Sequence, residues 1–517
     1  MNTRISRRKF LRTSGAVVAT GLVGGAFSGC GGTDEGPSAA EQRELTAAQA
    51  LLAIREGRLS AEVYVSTLLA RAEQLADLNA LITLDKAGAI DAARKIDAMR
   101  AAGTTLPQLA GLPIVVKDNI NTRGLPTTAG TTALRNVRPS ANAPTLQKLI
   151  DAGAIVLGKA NMHELAFGIT STNLTSFAGP VKNPYDKTRI PGGSSGGTAV
   201  SIAARIVPVG LGTDTGGSTR VPAALSGIVG LRPSVGNGGA ERRYDAAGVV
   251  PISHTRDTVG PMGRTVADVA LLDAVITNST PASVVALSGL RIGVPASFWA
   301  GLDNEVASIM AAARSKLAAA GVVFVDVDTA GLTALNNNVS FPIALHEPIA
   351  DIPAYLAATG VSGITVASIA AQIASPDVAG AFGAILGDAF GGAYDAAINV
   401  HRPQMQSLYA SYFANNQLDA MMFPTTVAPA TTIDAVNGSS TFSINGGPPV
   451  DTFTTYIRNT DPGSNAGIPG LALPAGMTAG GLPVGLEIDG PLGSDRKLLG
   501  IGLSIEALLG TLKPAPL

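Results

Sequence analysis

The spacing of apolar and polar residues predicts helices near the start of the chain. Thr46, followed three positions later by Gln49, is a capping box, which indicates a helix that Gly57 can end. Ser60 is the expected N-cap of a second helix. The apolar positions of that second helix recur at the spacing of one buried face, and they are Val65, Leu68, Leu69, Ala72, Leu75 and Ala76.

Further along the chain, short runs rich in β-branched residues alternate with helical stretches. Strands are predicted at 114–116, 154–157 and 206–211, and helices are predicted at 198–205 and 221–226. Strands that alternate with helices in this way are typical of an α/β fold. We therefore expect a sheet with helices packed against it.

Two serines lie in glycine-rich segments just before predicted helices. Ser194 belongs to PGGSSGG at 191–197, and Ser218 belongs to GTDTGGSTR at 212–220. Glycines bring backbone N–H groups close to a bound atom and leave the serine side chain free to face it. The N-terminus of each following helix favours negative charge on that atom. Together the two segments indicate a serine hydrolase.

The sequence offers two kinds of base for such a serine. Residues 192–196 fit the G-x-S-x-G pattern of a nucleophile elbow, which needs a later acid and a later histidine. The chain has four histidines, and none stands in an evidently catalytic setting: His163, His254, His346 and His401. Lys117, in contrast, ends a short apolar run, and burial can lower a lysine pKa by roughly 3–5 units. A buried Lys117 is therefore the predicted base.

Each of these features has a simpler interpretation when it stands alone. Lys117 would then be a surface lysine at a strand end, and PGGSSGG would be a flexible loop. His163 and His254 are expected to be structural, because neither lies in a cluster typical of metal ligands. The glycines from Gly210 onward match neither a dinucleotide-binding motif nor a phosphate-binding loop. We therefore predict no metal and no cofactor.

Several longer blocks, in order along the chain, resemble those of the amidase signature family. They are GLPIVVKDNI, GKANMHELAFGITSTN, RIPGGSSGGTAVSIAA, GLGTDTGGSTRVPAALSGIVGLRPS, DTVGPMGRTVADVA and the closing GLPVGLEIDGP. The segment HELAFGIT is most similar to the branch of the family that contains indoleacetamide and mandelamide hydrolases. The resemblance implies a single amidase signature domain at 45–517, with a mixed central β-sheet covered by helices on both faces.

The resemblance also implies a role for each residue of the site. Ser218 would be the nucleophile, Ser194, preceded by a cis peptide bond, would relay the proton, and Lys117 would be the base. The backbone N–H groups of the oxyanion hole would come from Thr215, Gly216, Gly217 and Ser218. The residues that support this loop would be Ser195, Asp214 and Arg220. Thr219 departs from the larger aliphatic residue expected at its position.

The implied reaction is the hydrolysis of a carboxylic amide to an acid and ammonia or an amine, through an acyl-enzyme. Esters and carbamates are expected as side substrates. Two other functions stay open: the A-type subunit of a glutamyl- or aspartyl-tRNA amidotransferase, and a binding protein without catalysis. The branch suggests a small arylacetamide-like primary amide, and residues 300–420 and the loops near 423–425 are expected to set this specificity.

The first residues predict export. SRRKFLR at 6–12 matches the twin-arginine pattern, and the apolar stretch at 14–29 is too short to span a membrane. We predict a twin-arginine signal peptide at 1–29, a flexible tether at 30–44, and a periplasmic protein or one anchored to the cell envelope by a lipid on Cys30. Ordinary signal cleavage near Cys30 is the alternative. Because Cys30 is the only cysteine, no disulfide within the chain is expected.

The charge balance bears on the partners of the protein. The chain has 37 Lys and Arg residues against 38 Asp and Glu residues, which argues against a nucleic-acid partner. Charged residues make up only 15% of the chain and glycines number 61, so much of it must be buried or tightly looped. The expected partner is a small-molecule amide, and a homodimer stays open.

Overall fold

The structure is a computed structural model that describes residues 36–517. The predicted signal peptide, Cys30 and the start of the predicted tether lie outside the described residues. Between residues 36 and 517, no helix is both long enough and apolar enough to cross a membrane.

Helices account for much of the described chain. In chain order the α-helices are α1 (Ala39–Glu44), α2 (Ala47–Arg55), α3 (Ala61–Gln74), α4 (Lys86–Ala101), α5 (Pro144–Asp151), α6 (Gly196–Ala203), α7 (Arg220–Ser226), α8 (Val266–Ile276), α9 (Asn304–Ala319), α10 (Leu332–Ala344), α11 (Pro348–Ala358), α12 (Val366–Ala370), α13 (Pro376–Leu386), α14 (Gly391–Ala396), α15 (Arg402–Asn415), α16 (Thr452–Ile457), α17 (Asp461–Ala466) and α18 (Asp495–Leu509).

Most of the strands belong to one large sheet. The strands are β1 (Leu81–Leu84), β2 (Pro113–Lys117), β3 (Ile155–Ala160), β4 (Val209–Asp214), β5 (Val229–Arg232), β6 (Thr258–Gly263), β7 (Arg291–Gly293), β8 (Val323–Val325), β9 (Ala420–Pro424), β10 (Thr441–Ser443), β11 (Pro449–Asp451), β12 (Gly470–Met477) and β13 (Pro483–Asp489). The large sheet has the strand order β1-β3-β2-β4-β6-β5-β12-β13-β9-β7-β8, and β10 and β11 form a separate hairpin.

The large sheet is mixed. β2 pairs in parallel with both β3 and β4, and β7 pairs in parallel with β8 and β9. The pairs from β4 through β6, β5, β12 and β13 to β9 are antiparallel, as is the edge pair β1 and β3. The predicted mixed α/β sheet is therefore confirmed.

Helices cover both faces of this sheet. Because successive side chains of a strand point to opposite faces, β2 contributes to two apolar cores. Val115 packs with residues of α3 and α6, whereas Ile114 and Val116 pack with residues of α5 and α8 on the other side. All three side chains are fully buried. The described chain is a single α/β domain, as the sequence predicts.

The predicted tether is partly helical. Residues 39–44, which we expected to be flexible, form α1, because Ser38 and Glu41 make a reciprocal capping box. Gln42 is buried against the domain, and Glu44 makes an ion pair with Arg205. The folded domain therefore begins several residues before the predicted boundary at residue 45.

Other predicted elements differ from the structure mainly in their ends. The N-caps Thr46 and Ser60 are confirmed. Ala76 does not belong to the buried face of α3, because that helix ends at Gln74 and Ala76 is exposed. The strand predicted at 206–211 is β4, which begins and ends three residues later.

The parallel pairing of β2 with β4 positions the residues of interest. Strands that run in parallel end at the same edge of a sheet, so Lys117 at the end of β2 lies beside Thr213 and Asp214 at the end of β4. The segment that carries Ser194 leads into α6, and the segment that carries Ser218 leads into α7. All of these groups meet at one edge, which is where α/β sheets commonly bind ligands.

Candidate active site

Lys117 has three close oxygen neighbours. Its Nζ lies 2.7 Å from Ser194 Oγ, 2.7 Å from Thr213 Oγ1 and 3.4 Å from the Thr213 carbonyl oxygen. The Asn119 side chain donates a further hydrogen bond to Thr213 Oγ1, at 3.1 Å. Thr213 and Asn119 were not singled out in the sequence, although Thr213 adjoins Asp214 and Asn119 is two positions after Lys117.

The Lys117 side chain is fully buried, as the sequence predicts. Burial lowers its pKa to about 7, and the carboxylates of Asp214 and Asp257 oppose only part of this effect. With its pKa lowered to about 7, Lys117 can be uncharged at neutral pH, which is what a general base requires.

Ser194 and Ser195 lie where the chain turns into α6. The Gly193–Ser194 peptide bond is cis, as the resemblance implies. Ser195 is tied to both neighbouring segments: its N–H donates to the Ser218 carbonyl at 3.2 Å, and its Oγ donates to the Thr213 carbonyl at 3.1 Å. Ser195 therefore joins the end of β4 to the segment that carries Ser218, in line with its expected supporting role.

Asp214 organises the loop at 215–219. Its carboxylate accepts hydrogen bonds from the Gly217 N–H, the Thr219 N–H and the Thr219 hydroxyl, at 2.9–3.0 Å. Thr219, which departs from the family pattern, thus adds a polar contact to the loop. Because the Gly217 N–H is already bonded to Asp214, it is not free for a substrate oxygen. This differs from the prediction that the backbone N–H groups of all four residues at 215–218 form the oxyanion hole.

Gly217 has a backbone that requires glycine. Its φ is +138°, and a Cβ atom at this position would lie 2.2 Å from Thr460 Oγ1. Thr460 in turn donates to the Gly216 carbonyl at 2.6 Å. The loop at 215–219 is therefore packed tightly against the segment that leads into α17.

Two arginines compensate the buried charge of Asp214. Arg220 donates two hydrogen bonds to its carboxylate at 3.1 Å, and Arg232 donates to its carbonyl at 2.7 Å and to its carboxylate at 3.1 Å. Burial would raise the pKa of Asp214, but these guanidinium groups outweigh it and hold the pKa well below its ordinary value. Arg220 also contacts the buried Glu487. The supporting role predicted for Asp214 and Arg220 fits these contacts.

Two further contacts fix the other side of the loop. Arg256 donates to the Thr215 carbonyl at 3.2 Å and pairs with Asp461, and the Thr215 hydroxyl donates to Asp257 at 2.6 Å. Sequence reasoning missed Arg256 and Thr460. The block DTVGPMGRTVADVA begins at Asp257, so the sequence does point to the region next to Arg256. Thr460 lies in none of the quoted blocks.

A cavity of about 540 Å³ opens in front of Ser218. Thr215, Gly216 and Ser218 form part of its wall, and Ser218 is 6% exposed. Most of the remaining wall is apolar, with four phenylalanines at positions 167, 341, 390 and 453. Phe341 stacks on Phe390 and lies against Phe453, with ring centroids 6.3 Å apart in each pair.

Of the two regions expected to set specificity, residues 300–420 and the loops near 423–425, only the first contributes to the cavity wall. Helices α10 and α13, within 300–420, contribute Phe341, Asp377 and several small residues to the wall. Residues 423–425, which we also expected near the substrate, are buried at the end of β9 and do not line the cavity.

The expectation that His254 lies outside any ligand-like cluster is wrong. His254, Glu347 and Asp351 place one ligand atom each within 4.8 Å of one another. The His254 Nδ1 lies 3.0 Å from Asp351, and Glu347 already accepts hydrogen bonds from Ser253 and Thr255. The three groups thus satisfy one another as an ion-pair network that joins the 253–257 segment to α11.

The sequence and the fold have close relatives. A family model described as Amidase matches residues 64–499. Mandelamide hydrolase from Pseudomonas putida is 41% identical over 484 residues, covering 90% of this chain and 92% of that protein, and indoleacetamide hydrolase from Agrobacterium vitis is 43% identical over 464 residues, covering 89% and 96%. A crystal structure of an amidase superposes with a TM-score of 0.79 at 31% identity, covering 90% of this chain and 100% of that one. The chain therefore belongs to the amidase signature family and is a hydrolase that acts on C–N bonds other than peptide bonds.

Proposed function

We propose that the chain hydrolyses a carboxylic amide with Ser218 as the nucleophile, Ser194 as the proton relay and Lys117 as the base. The contact of 2.7 Å between Lys117 Nζ and Ser194 Oγ is the main support. Ser218 lies at the cavity wall, where an attacking hydroxyl must stand. No hydrogen bond joins Ser194 Oγ to Ser218 Oγ in the described residues, and we expect that contact to form when substrate binds, as catalytic hydrogen bonds often do.

The neighbours of Lys117 suit an uncharged amine. A neutral lysine has two N–H bonds and one lone pair. The two oxygens of Thr213 can accept both N–H bonds, and this arrangement leaves the lone pair directed at Ser194 Oγ. Ser194 can then donate its proton to Lys117 while accepting one from Ser218. A charged ammonium group would have no lone pair to offer.

The oxyanion would be held by backbone groups of the loop. We assign this role to the N–H groups of Thr215, Gly216 and Ser218, because Gly217 is committed to Asp214. The carbonyls of Thr215 and Gly216 accept hydrogen bonds from Arg256 and Thr460, which hold the loop in place. A loop fixed in this way does not reorganise as charge develops, and each donor of this kind is worth about 2.7–4 kcal/mol.

The reaction would proceed in two stages. Ser218 Oγ attacks the amide carbonyl, its proton passes through Ser194 to Lys117, and a tetrahedral intermediate forms. The C–N bond then breaks as the same relay returns the proton to the departing nitrogen, which leaves an acyl-enzyme. Water then attacks the acyl carbonyl and gives its proton through Ser194 to Lys117, and the proton returns to Ser218 Oγ as the acid leaves. Esters and carbamates have better leaving groups, so they are the expected side substrates.

The cavity wall supports an aromatic acyl group. Four phenylalanines surround the space in front of Ser218, and aromatic side chains pack well against a substrate ring. The relatives named above are hydrolases of mandelamide and indoleacetamide, both of which carry an aromatic ring on the carbon next to the amide carbonyl. We therefore propose a small arylacetamide-like primary amide as the substrate, with an arylacetic acid and ammonia as products.

The location of the enzyme rests on the sequence alone. We propose twin-arginine export, followed by residence in the periplasm or at the cell envelope through a lipid on Cys30. Fractionation of cells that express the full chain, compared with a chain carrying Arg7→Lys and Arg8→Lys, tests the export step. Retention of the wild type in the cytosol would contradict it. A shift of Cys30→Ser from the membrane fraction to the soluble periplasm would support the lipid anchor.

Ammonia release from phenylacetamide tests the proposed reaction. The wild type should release ammonia, and Ser218→Ala should abolish the release. Ser283→Ala, a change of an exposed serine away from the cavity, is the matched control and should keep full activity. Activity retained in Ser218→Ala, or absent from the wild type on every amide tried, would overturn the proposal.

A further inference from the structure

One charged side chain reaches the apolar cavity from α13 and has no part in the reaction proposed above. Asp377 lines the same cavity as Ser218, and its side chain remains 28% exposed. Gly380, Ala381 and Ala384 follow it on the same face of α13, at helical spacing. Because these three residues are small, nothing on this face screens Asp377 from a bound molecule.

Asp377 is held in place from behind by a buried histidine. The His163 side chain is fully buried, and its Nε2 lies 2.9 Å from Asp377 Oδ2. The Nδ1 of His163 accepts the Ser171 N–H at 3.2 Å, which assigns the ring proton to Nε2, the nitrogen that lies next to Asp377 Oδ2. His163 is thus structural in the sense that the sequence predicts, but it also fixes a group that faces the cavity.

A glycine makes room for this pair. A Cβ atom on Gly168 would lie 2.1 Å from His163 Nε2, so the ring fits only because position 168 has no side chain. Gly168 itself lines the cavity. The segment HELAFG therefore places His163 directly behind the cavity wall and beside Asp377.

The state of Asp377 suits it to accept hydrogen bonds. Burial would raise its pKa, but the contact with His163 holds the pKa below the ordinary value. Asp377 is therefore ionised at neutral pH and acts only as an acceptor. Its Oδ1 accepts the Val378 N–H at 3.0 Å, which leaves acceptor capacity on both oxygens.

The other charged groups of the cavity do not cancel this charge. The Arg256 guanidinium is paired with Asp461, and the remaining charged residue of the wall is Asp451, a second carboxylate. The cavity is thus apolar in most of its wall, and the charges that are not paired with Arg256 are the two carboxylates of Asp377 and Asp451. An anionic substrate would face like charges, and among residues 36–517 the cavity wall offers it no unpaired cation.

We propose that Asp377, positioned by His163, is a specificity-determining residue that accepts a hydrogen bond from a hydroxyl or N–H donor on the aromatic ring of the substrate and excludes rings that bear a carboxylate. This inference rests on the proposed function, since it concerns the acyl part of the same amide. Hydrogen bonds to a charged acceptor are stronger than neutral ones, so their loss should reduce kcat/KM by about tenfold or more.

The test compares matched amides rather than absolute rates. Phenylacetamides with a hydroxyl at ring position 2, 3 or 4 are each paired with the methyl isostere, and 4-carboxyphenylacetamide supplies the anion. For the wild type, the hydroxyl form should exceed its methyl isostere in kcat/KM by about tenfold or more at one ring position, and the anion should be the poorest substrate. A fault in folding lowers both members of a pair equally and leaves their ratio unchanged.

Two variants separate the acceptor from the charge. Asp377→Leu, similar in shape, should bring the hydroxyl-to-methyl ratio close to one, and Asp377→Asn should improve use of the anion by about tenfold. Asp395→Asn, an exposed aspartate on α14, is the control and should keep the wild-type ratios. Equal ratios in wild type and both Asp377 variants would overturn the role of Asp377. Failure of the wild type on phenylacetamide itself would instead count against the proposed function.

Discussion

Lys117 Nζ lies 2.7 Å from Ser194 Oγ, although the two residues are 77 positions apart in the chain. The pairing follows from the parallel alignment of β2 and β4, which brings the end of β2 to the segment before α6. The lysine is fully buried, and the burial that makes it a base also costs free energy of folding.

Lys117→Met should therefore be inactive and yet more stable than the wild type at neutral pH. A pKa lowered from 10.5 to about 7 means that folding releases the lysine proton between pH 7 and 10, and the shift costs about 4 kcal/mol of folding free energy at pH 7 before the lost hydrogen bonds are counted. The unfolded chain binds more protons between pH 7 and 10, so wild-type stability rises with pH in that window. The Tm advantage of the variant should be largest at pH 7 or below and disappear near pH 10.

Lys95→Met, at an exposed position on α4, is the control for this measurement. Its Tm should follow that of the wild type at every pH. A Lys117→Met protein that is less stable than the wild type at pH 7, by the same amount at pH 10, would show that the lysine is not deprotonated by folding.

The pH dependence of kcat/KM should report the same titration. Because the base acts when uncharged, kcat/KM should rise with pH and level off above a midpoint of about 7. The measurement is initial ammonia release from phenylacetamide between pH 5 and 9. A rate that is constant from pH 5.5 to 8, or that falls as pH rises through 7, would be inconsistent with Lys117 as the base.

Asp214→Asn should destabilise the fold as well as the loop. It removes a buried charge that faces Arg220 and Arg232, and leaving such groups unpaired typically costs about 3–5 kcal/mol. Denaturant unfolding gives the free energy directly. Asp91→Asn, at an exposed position, should change it by less than about 0.5 kcal/mol. Equal stability of the two variants would contradict the organising role of Asp214.

Gly217→Ala should strongly reduce kcat/KM, because the added methyl group has no room in the loop. The added Cβ would collide with Thr460 Oγ1 at a backbone φ of +138°, so the loop at 215–219 must shift. We expect kcat/KM to fall by about 100-fold or more, as when an oxyanion donor is lost. Gly238→Ala also has a positive φ, of +83°, but meets no atom within 4 Å, and its kcat/KM should stay near the wild-type value.

The sequence predicts those parts of the fold and site that depend on local patterns. The capping residues Thr46 and Ser60, the strand that ends at Lys117 and the two glycine-serine segments are each readable from a few neighbouring residues, and the structure has all of them. Element ends were less accurate, because the shift of β4 by three residues is set by its pairing with β6 rather than by its own residues.

Contacts between distant segments could not be predicted in this way. Arg256 reaches the Thr215 carbonyl from 41 positions away, and Thr460 reaches the Gly216 carbonyl from 244 positions away. The meeting of His163 with Asp377 likewise depends on where α13 packs. Such pairs arise from the tertiary arrangement of the helices, and the residues carry no local signal of their partners.

The most direct test of Ser218 as the activated nucleophile is to map the residue that a fluorophosphonate labels. Peptide mass spectrometry of the wild type should find the label on Ser218, at a rate that rises with pH through about 7. Labelling should be absent in Ser218→Ala and severely slowed in Lys117→Met. A label on Ser194 or Ser195 in the wild type, or undiminished labelling of Ser218→Ala, would contradict the assignment of Ser218.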